Sequence, residues 1–269
     1  MRPSSRSSSR RRTGCACAWP SSTASAWPAS SKGAGALLAV RRFIGLMSGT
    51  SLDAVDGALI EIDARAAGLR TASFVSQALD ETLRSELEAL QATSPDELAR
   101  AAIAANRLAD AYAAVAAELL AGAGCPPSAI SAIGAHGQTV RHRPELDYTI
   151  QLLNPARLAE ACGIPVVCDL RAADIAAGGQ GAPLAPAFHA WVFRDAVERR
   201  AVVNLGGIAN VTLLPPAIAT AEAVLGFDTG PANTLLDVWC RRHTGAAFDR
   251  DGDWARGGRA DAALLGSWL

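Results

Sequence analysis

The amino-acid sequence predicts a mixed α/β fold. Between Phe43 and Leu79, short apolar runs alternate with small polar turns, which is typical of an antiparallel meander. Segments with helical spacing and further short apolar runs follow, and this order of helix and strand after a meander indicates a mixed α/β domain. The arrangement of strand, glycine loop and strand then returns after residue 200 as a weak internal repeat.

The predicted elements of the first half are bounded by start and stop signals. Pro95 stands at the start of the longest predicted helix, and Gly163 ends a shorter one. The predicted strands are Phe43–Met47, Ala54–Ile62, Arg70–Leu79, Ala129–Ala135, Tyr148–Leu152 and Ile164–Cys168, and the predicted helices are Asp80–Leu90, Asp96–Leu120 and Pro155–Cys162.

The second half repeats the opening order. Predicted strands Ala201–Asn204 and Val211–Leu214 flank a glycine loop, and a third, Val224–Phe227, leads to Asp228. Ala232–His243 has helical spacing.

Composition and charge exclude several classes of function. Half of the 269 residues are hydrophobic, and no apolar run is long enough to cross a membrane. The net charge is −1, but residues 1–42 hold eight Arg and Lys and no acid, so the rest carries −9, which argues against general nucleic-acid binding. The six cysteines form no CxxC pair or Cys/His cluster, which argues against zinc and fits a reducing cytoplasm.

Residues 1–42 form a low-complexity segment without helical or strand period, and we expect it to be disordered. A secretory or twin-arginine signal would lack a clean apolar core because of Pro20 and Pro28, whereas a transit peptide would share the Arg-rich, Ser-rich and acid-poor composition. We favour a mis-assigned start codon, with translation beginning near Arg41.

Two loops of small residues between strands predict phosphate binding. In Ser48–Ser51 and Gly206–Gly207, glycine lets backbone N–H groups converge on an anion, and Ser and Thr add hydroxyl donors. Asp53, at the end of the first loop, is placed to hold Mg²⁺ through water. The sequence contains no P-loop, dinucleotide or protein-kinase motif. Taken singly, each loop is more often an ordinary turn or bulge.

A series of longer motifs carries a family resemblance. They are, in chain order, Gly45–Asp53 (GLMSGTSLD), Gly134–Thr139 (GAHGQT), Asp169–Arg171 with Asp174, Ala176–Leu184 (AAGGQGAPL), Asn204–Gly207 (NLGG), Gly226–Pro231 (GFDTGP) and Phe248–Gly252 (FDRDG). Together they resemble the anhydro-N-acetylmuramic acid kinase family over nearly all of residues 43–269.

This resemblance implies an actin/hexokinase-like fold of two RNase-H-like domains, with the sugar site in 43–198 and the incomplete start of the second domain in 199–269. It also implies a cytoplasmic enzyme of cell-wall (peptidoglycan) recycling that uses ATP and Mg²⁺. Such an enzyme opens the 1,6-anhydro ring of anhydro-N-acetylmuramic acid with water and phosphorylates O6, giving N-acetylmuramic acid 6-phosphate and ADP. We expect no nucleic-acid or membrane partner, and homodimerisation stays open.

The resemblance further implies site residues. Asp228 is the general base, although from the residues alone it could equally be a helix N-cap. The implied ATP and phosphate ligands are Gly49, Thr50, Ser51, Leu52, Asp53, Ala54, Val55, Asp56, Gly206, Gly207 and Asn210. The implied sugar ligands are His136, Gln138, Thr139, Arg171, Asp174 and Gln180.

Several of these sugar ligands have alternative roles. Arg171 is the candidate partner of the sugar carboxylate, because guanidinium binds carboxylate through two hydrogen bonds; the alternative is an ion pair with Asp174. Gln138 and Thr139 stand at a strand end, where α/β ligand sites cluster, or they form a satisfied turn. We expect His136 to be a hydrogen-bonding pocket residue and not the base.

Some features depart from the family pattern. Ala54 and Ala232 stand where the family usually has Gly. Family members also continue past Leu269 with segments that pack on adenosine, so we expect a C-terminally truncated kinase. The alternatives are an inactive fragment with at most sugar binding, or another actin-like carbohydrate kinase, against which the stretch Asp169–Pro183 argues.

Overall fold

The computed structural model describes residues 40–49, 52–63 and 68–268. Contacts divide these residues into two compact units, with the division between Leu184 and Ala185. The segment Ala185–Phe193 therefore groups with the second unit, although the sequence analysis placed it at the end of the first domain. The predicted domains 43–198 and 199–269 stay a prediction.

The first unit is built on a five-stranded mixed sheet. Its strands are β1 (Val40–Ser48), β2 (Ala54–Asp63), β3 (Gly68–Ala78), β4 (Ile130–Ala135) and β7 (Val166–Val167), while β5 (Gln138–Arg143) and β6 (Tyr148–Leu152) form a separate hairpin. The order is β3-β2-β1-β4-β7. β1, β2 and β3 pair antiparallel, as the predicted meander requires, and β4 and β7 extend the sheet in parallel. The carboxyl ends of β1 and β4 therefore lie side by side.

The first strand starts earlier than the sequence analysis expected. Val40–Arg42 pair with Glu61–Asp63 of β2, and the Arg42 guanidinium lies 2.9 Å from the Glu61 carboxylate. These three residues belong to the sheet and not to the predicted tail 1–42, whose other residues lie outside the described chain.

Helices cover the sheet of the first unit. They are α1 (Glu81–Ala89), α2 (Glu97–Gly122), α3 (Pro155–Cys162) and α4 (Leu170–Ala176). Asp80 caps α1 by accepting hydrogen bonds from the backbone N–H groups of Thr82 and Leu83. Asn154 caps α3 in the same way, and a left-handed Gly163 ends it, so α3 has the predicted bounds.

The long helix α2 supplies most of the core. Leu108, Tyr112, Val115 and Leu119 are fully buried in one cluster with residues of β1 and β2. The helix packs tightly on β2 at Gly57, where an added Cβ would lie 2.4 Å from Val115 Cγ1. The apolar spacing that predicted this helix thus identifies the face that closes the core.

We expect Gly57→Ala to destabilise the protein by about 1–3 kcal/mol, because the added methyl overpacks the contact between β2 and α2. Gly45→Ala in β1 is the matched control, since a Cβ there meets nothing within 4 Å. Chemical denaturation of both variants measures the difference. Equal stabilities would contradict this description of the core.

The second unit holds the repeated strand and loop arrangement. Its elements are α5 (Ala185–Phe193), β8 (Arg200–Leu205), β9 (Ile208–Leu214), β10 (Leu225–Pro231), α6 (Asn233–Thr244), α7 (Asp253–Arg256) and α8 (Ala262–Trp268). The strands form an antiparallel sheet in the order β10-β9-β8. α5 packs on this sheet, and His189 Nδ1 lies 2.9 Å from the buried Thr212 hydroxyl.

The predicted mixed α/β class is confirmed in both units, and the strands and helix predicted after residue 200 are present. The predicted strand Ile164–Cys168 is reduced to Val166–Val167, and β5, α4 and α5 were not predicted. Within the described chain, none of the helices combines the length and apolarity needed to cross a bilayer.

Candidate active site

The first predicted phosphate loop joins β1 to β2 at the sheet edge where β1 ends. Its predicted ligands Thr50 and Ser51 lie outside the described residues. The Leu52 N–H donates to the Gly49 carbonyl (3.2 Å), and Leu52 has a left-handed φ of 58°. The Asp53 carbonyl accepts from the Leu79 N–H (3.1 Å), which fixes the main chain while the Asp53 side chain is exposed.

The other predicted phosphate ligands of this segment alternate between two faces. The Leu52 and Val55 side chains are buried in the core, so they could contact a phosphate only through their main chain. Ala54 and Asp56 lie on the opposite face of β2 from Val55, and Asp56 is exposed. Asp53 and Asp56 are therefore the carboxylates of this segment that a ligand can reach.

The segment from His136 to Thr139 follows β4 and lies beside the end of β1. The His136 N–H donates to the Leu46 carbonyl (3.0 Å), which continues the parallel pairing beyond the strand. Gly137 has a φ of 74°, and a Cβ there would lie 2.7 Å from the Leu152 carbonyl oxygen, so this turn requires glycine. Gln138 is only 1% exposed.

Gln138 carries an unsatisfied acceptor. Its Oε1 is buried and has no hydrogen-bond partner within the described chain. An unpaired buried acceptor is costly, and a donor from a ligand or water would satisfy it. Thr139 differs, because its hydroxyl already accepts from Gln151 Nε2 (3.2 Å) across the β5–β6 hairpin. Of this pair, Gln138 has the stronger physical reason to bind a ligand.

Arg171 and Asp174 hold one residue of the glycine loop, Gly181, through its carbonyl and its N–H group. Arg171 Nη1 donates to the Gly181 carbonyl (2.7 Å), and Asp174 Oδ2 accepts from the Gly181 N–H (2.7 Å). Arg171 and Asp174 do not form an ion pair with each other among the described residues, so that alternative is wrong. Gln180 lies inside the loop that these contacts fix.

Gly179 is required by the same arrangement. Its N–H donates to the Asp174 carbonyl (2.8 Å), and an added Cβ would lie 2.2 Å from the Asp174 carboxylate. Gly179 of the AAGGQGAPL motif thus makes room for the carboxylate that orders the loop.

Burial also sets the protonation of His136. Burial lowers the pKa of the imidazole most, the hydrogen bond to the Gly137 carbonyl opposes this in part, and the neighbouring Arg171 guanidinium makes a smaller contribution that lowers the pKa further. Burial likewise lowers the pKa of Arg171. His136 is therefore neutral at neutral pH, while an unfolded histidine titrates near pH 6.5.

This difference gives a pH-dependent contribution to stability. Below about pH 6.5, His136 binds a proton in the unfolded chain but stays neutral in the folded chain. The free energy of unfolding therefore falls as the pH falls, by at most about 1.4 kcal/mol per pH unit. We expect the wild type to lose stability relative to His136→Gln as the pH is lowered from 7.5 to 5.5, as measured by urea denaturation. A difference that is independent of pH would contradict the neutral imidazole.

In the second unit, three polar side chains form a row across the sheet. Asn204 of β8 lies opposite Asn210 of β9, and Asn210 lies opposite Asp228 of β10. Directly opposed residues project to the same face with close Cβ atoms. Asp228 is exposed, and a bulge follows it at Thr229, whose hydroxyl donates to the Ala209 carbonyl (3.2 Å). Bulges of this kind often re-aim a side chain beside an active site.

Asp228 does not cap the next helix. The N-cap of α6 is Ala232, and no side chain supplies a cap hydrogen bond there. The N-cap alternative is therefore wrong, and the carboxylate stays available beside Asn210.

The Gly206–Gly207 turn is fixed by the start of α6. The Gly206 carbonyl accepts from the Asn233 N–H (3.0 Å), and the Gly207 carbonyl accepts from the Ala232 N–H (2.9 Å). Because N–H and C=O point oppositely in a trans peptide, the Gly207 N–H points away from the helix. A Cβ on Gly207 would lie 2.7 Å from the Thr234 hydroxyl. The turn thus presents a backbone donor between β8 and β9, the strands that carry Asn204 and Asn210.

Sequence reasoning missed some residues that shape these sites. Tyr112 lies in the middle of α2 and gave no signal, yet its hydroxyl lies 3.1 Å from that of Ser48 at the start of the phosphate loop. Asn204 stood within a recognised motif and could have been found from the strand pairing with Asn210.

The meander extended by parallel strands, with glycine turns and polar side chains at strand ends, defines an α/β protein of the actin/hexokinase-like class. The family model described as anhydro-N-acetylmuramic acid kinase matches residues 41–269. The chain belongs to the anhydro-N-acetylmuramic acid kinase family.

Curated relatives agree with this assignment. The anhydro-N-acetylmuramic acid kinase of Bordetella petrii is 57% identical over 227 residues, which is 84% of this chain and 58% of the relative. That of Variovorax paradoxus is 54% identical over 229 residues, which is 83% of this chain and 60% of the relative. The chain thus spans about three fifths of the length of these relatives.

Among solved structures, YeaZ from Pseudomonas aeruginosa matches 72% of this chain and 68% of that chain at 14% identity. The TM-score is 0.25.

Proposed function

We propose that this chain is the part of an ATP-dependent kinase that opens the 1,6-anhydro ring of anhydro-N-acetylmuramic acid and phosphorylates O6, in cytoplasmic cell-wall recycling. The observation that carries the proposal is the row of Asn204, Asn210 and Asp228 beside the Gly206–Gly207 turn. A carboxylate that can accept a proton and a backbone donor that can bind phosphate lie together there, in a segment that the family model matches.

The proposed reaction couples two bond exchanges. Asp228 takes a proton from water as the water oxygen bonds to the anomeric carbon and the bond from that carbon to O6 breaks. O6 bonds to the γ-phosphorus of ATP while the bond to the departing ADP oxygen breaks. The second proton of the water stays on the new anomeric hydroxyl. Asn210 and the Gly207 N–H are proposed to hold the phosphate during this exchange.

The carboxylates of the first loop fit Mg²⁺. Asp53 and Asp56 are exposed oxygen donors, the ligand type that Mg²⁺ prefers, and Asp53 would hold the ion through water. The described residues contain no cluster of three or more His, Cys, Asp or Glu that could hold a metal by protein ligands alone. When bound, Mg²⁺ would neutralise phosphate charge. Gly49 and the main chain of 52–55 are proposed to support the same phosphates.

The sugar is proposed to bind at the first unit. The unpaired Gln138 Oε1 would accept from a sugar hydroxyl or amide. His136, Thr139, Asp174 and Gln180 are the other proposed sugar-binding residues of this unit. Arg171 donates through Nε to His136 and through Nη1 to Gly181, and we propose that its guanidinium also reaches the sugar carboxylate.

Turnover in ¹⁸O-labelled water tests this proposal. The chain extended to the full length of its relatives is incubated with ATP, Mg²⁺ and anhydro-N-acetylmuramic acid, and the products are analysed by mass spectrometry. We expect ADP and a sugar phosphate in equal amounts, with one ¹⁸O on the anomeric carbon and none in the phosphate. ADP without sugar phosphate, or label in the phosphate, would show ATP hydrolysis and contradict the coupled reaction.

A further inference from the structure

A chain of hydrogen bonds begins under the first phosphate loop. The Ser48 side chain is 1% exposed and lies 3.1 Å from the Tyr112 hydroxyl and 3.4 Å from the Gly137 carbonyl oxygen. A carbonyl only accepts, so Ser48 gives it its single proton and must accept from Tyr112. Burial raises the pKa of Tyr112 to about 12, so its hydroxyl keeps the proton that it donates. Ser48 is thus fixed inward and is unavailable to phosphate.

The chain continues through the imidazole of His136. His136 Nδ1 lies 2.7 Å from the Gly137 carbonyl oxygen, and its Nε2 lies 2.7 Å from Arg171 Nε. The carbonyl cannot donate and the guanidinium cannot accept, so Nδ1 must carry the proton and Nε2 must carry the lone pair. The contacts admit one state of the ring, the neutral Nδ1–H tautomer.

The far end of the chain is the glycine loop. His136 orients Arg171 through Nε, and Arg171 Nη1 donates to the Gly181 carbonyl (2.7 Å). Asp174 accepts a hydrogen bond from the Gly181 N–H. Guanidinium is planar, so fixing Nε also fixes the direction of Nη1. The end of β1, the turn after β4 and the loop 178–181 are thereby joined by one continuous set of hydrogen bonds.

We propose that His136 is a positioning residue: as the Nδ1–H tautomer it joins the Gly137 carbonyl to the Arg171 guanidinium and so holds the loop 178–181 in the geometry that receives the sugar. The part concerning the sugar rests on the proposed function. The role differs from that of a direct sugar ligand, because both ring nitrogens are already occupied by protein partners.

Nitrogen NMR of the full chain tests the tautomer without any substrate. In a two-bond ¹H–¹⁵N spectrum at pH 7, His136 should show a protonated Nδ1 and an unprotonated Nε2. Arg171→Met removes the donor to Nε2 and should raise the imidazole pKa, because it also removes the neighbouring positive charge. An Nε2–H tautomer or a protonated ring in the wild type would overturn the proposal.

Matched variants of His136 test the positioning. His136→Gln places an amide oxygen where it can accept from Arg171, whereas His136→Leu keeps the bulk and removes the acceptor. We expect the Gly181 amide to exchange its hydrogen at least about tenfold faster in His136→Leu than in the wild type, with His136→Gln close to the wild type. Equal protection of Gly181 in all three chains would overturn the proposal.

Calorimetric titration with anhydro-N-acetylmuramic acid separates this proposal from the proposed function. We expect His136→Leu to weaken sugar binding about tenfold and His136→Gln to restore most of it. A wild type that binds no sugar would contradict the proposed function and the part of this proposal that concerns the sugar. The tautomer and the Gly181 amide exchange would still decide whether His136 positions the loop.

Discussion

In the chain extended to the full length of its relatives, Asp228→Asn should lower the rate of coupled ring opening and phosphorylation by about 10²–10⁴-fold, which is the usual loss when a positioned general base is removed. The substitution keeps the shape of the side chain at an exposed strand position opposite Asn210, so the fold should be unaffected. Turnover is measured by coupling ADP release to a spectroscopic assay, and folding by circular dichroism.

Glu222→Gln is the matched control in the same unit. Its carboxylate forms an exposed ion pair with Arg199 (2.7 Å), a type of contact that contributes about 0–1 kcal/mol to stability. We expect its turnover to equal that of the wild type. Near-normal turnover of Asp228→Asn beside a normal control would remove Asp228 as the base.

Gly179→Ala should weaken sugar binding by about 10–100-fold. The added Cβ would lie 2.2 Å from Asp174 Oδ2, so the carboxylate must rotate away and give up its hydrogen bond with the Gly181 N–H. A hydrogen bond to a charged group is worth about 1.5–3 kcal/mol, which sets this range. Binding is measured by calorimetric titration.

Two further variants make this test specific. Gly134→Ala lies in β4 near the same site, but its Cβ would only touch the Ile44 carbonyl at 3.9 Å, so its sugar affinity should be normal. In an Asp174→Ala background the clash is absent, so adding Gly179→Ala should weaken sugar binding little further. If Gly179→Ala still weakened sugar binding about 10–100-fold in that background, its effect would not act through Asp174.

Local signals were sufficient to predict many elements of this fold. Helix α3 was bounded correctly because Pro155 and Gly163 start and stop it through their own backbone preferences. The meander followed from turns between apolar runs. Helix α5 was missed, because Ala185–Phe193 is apolar nearly throughout and shows no amphipathic period.

The contacts within the candidate site could be predicted only in part. The motifs named His136, Arg171 and Asp174, but adjacency in sequence suggested an ion pair between the latter two. The structure instead directs both side chains to Gly181, ten and seven residues away from them. Pairing with His136, 35 residues before Arg171, depends on how β4 and α4 meet, which no local pattern encodes.

The Thr229 bulge also bears on how reliably an active molecule folds. Side chains of a strand alternate between faces, so a slip of β10 by one residue would turn Asp228 to the other face of the sheet. In such a molecule Asp228 would no longer stand beside Asn210. The bulge, held by the Thr229 hydroxyl on the Ala209 carbonyl, makes the shifted pairing mismatched along the whole ladder. The bulge thereby fixes the register in which Asp228 stands opposite Asn210.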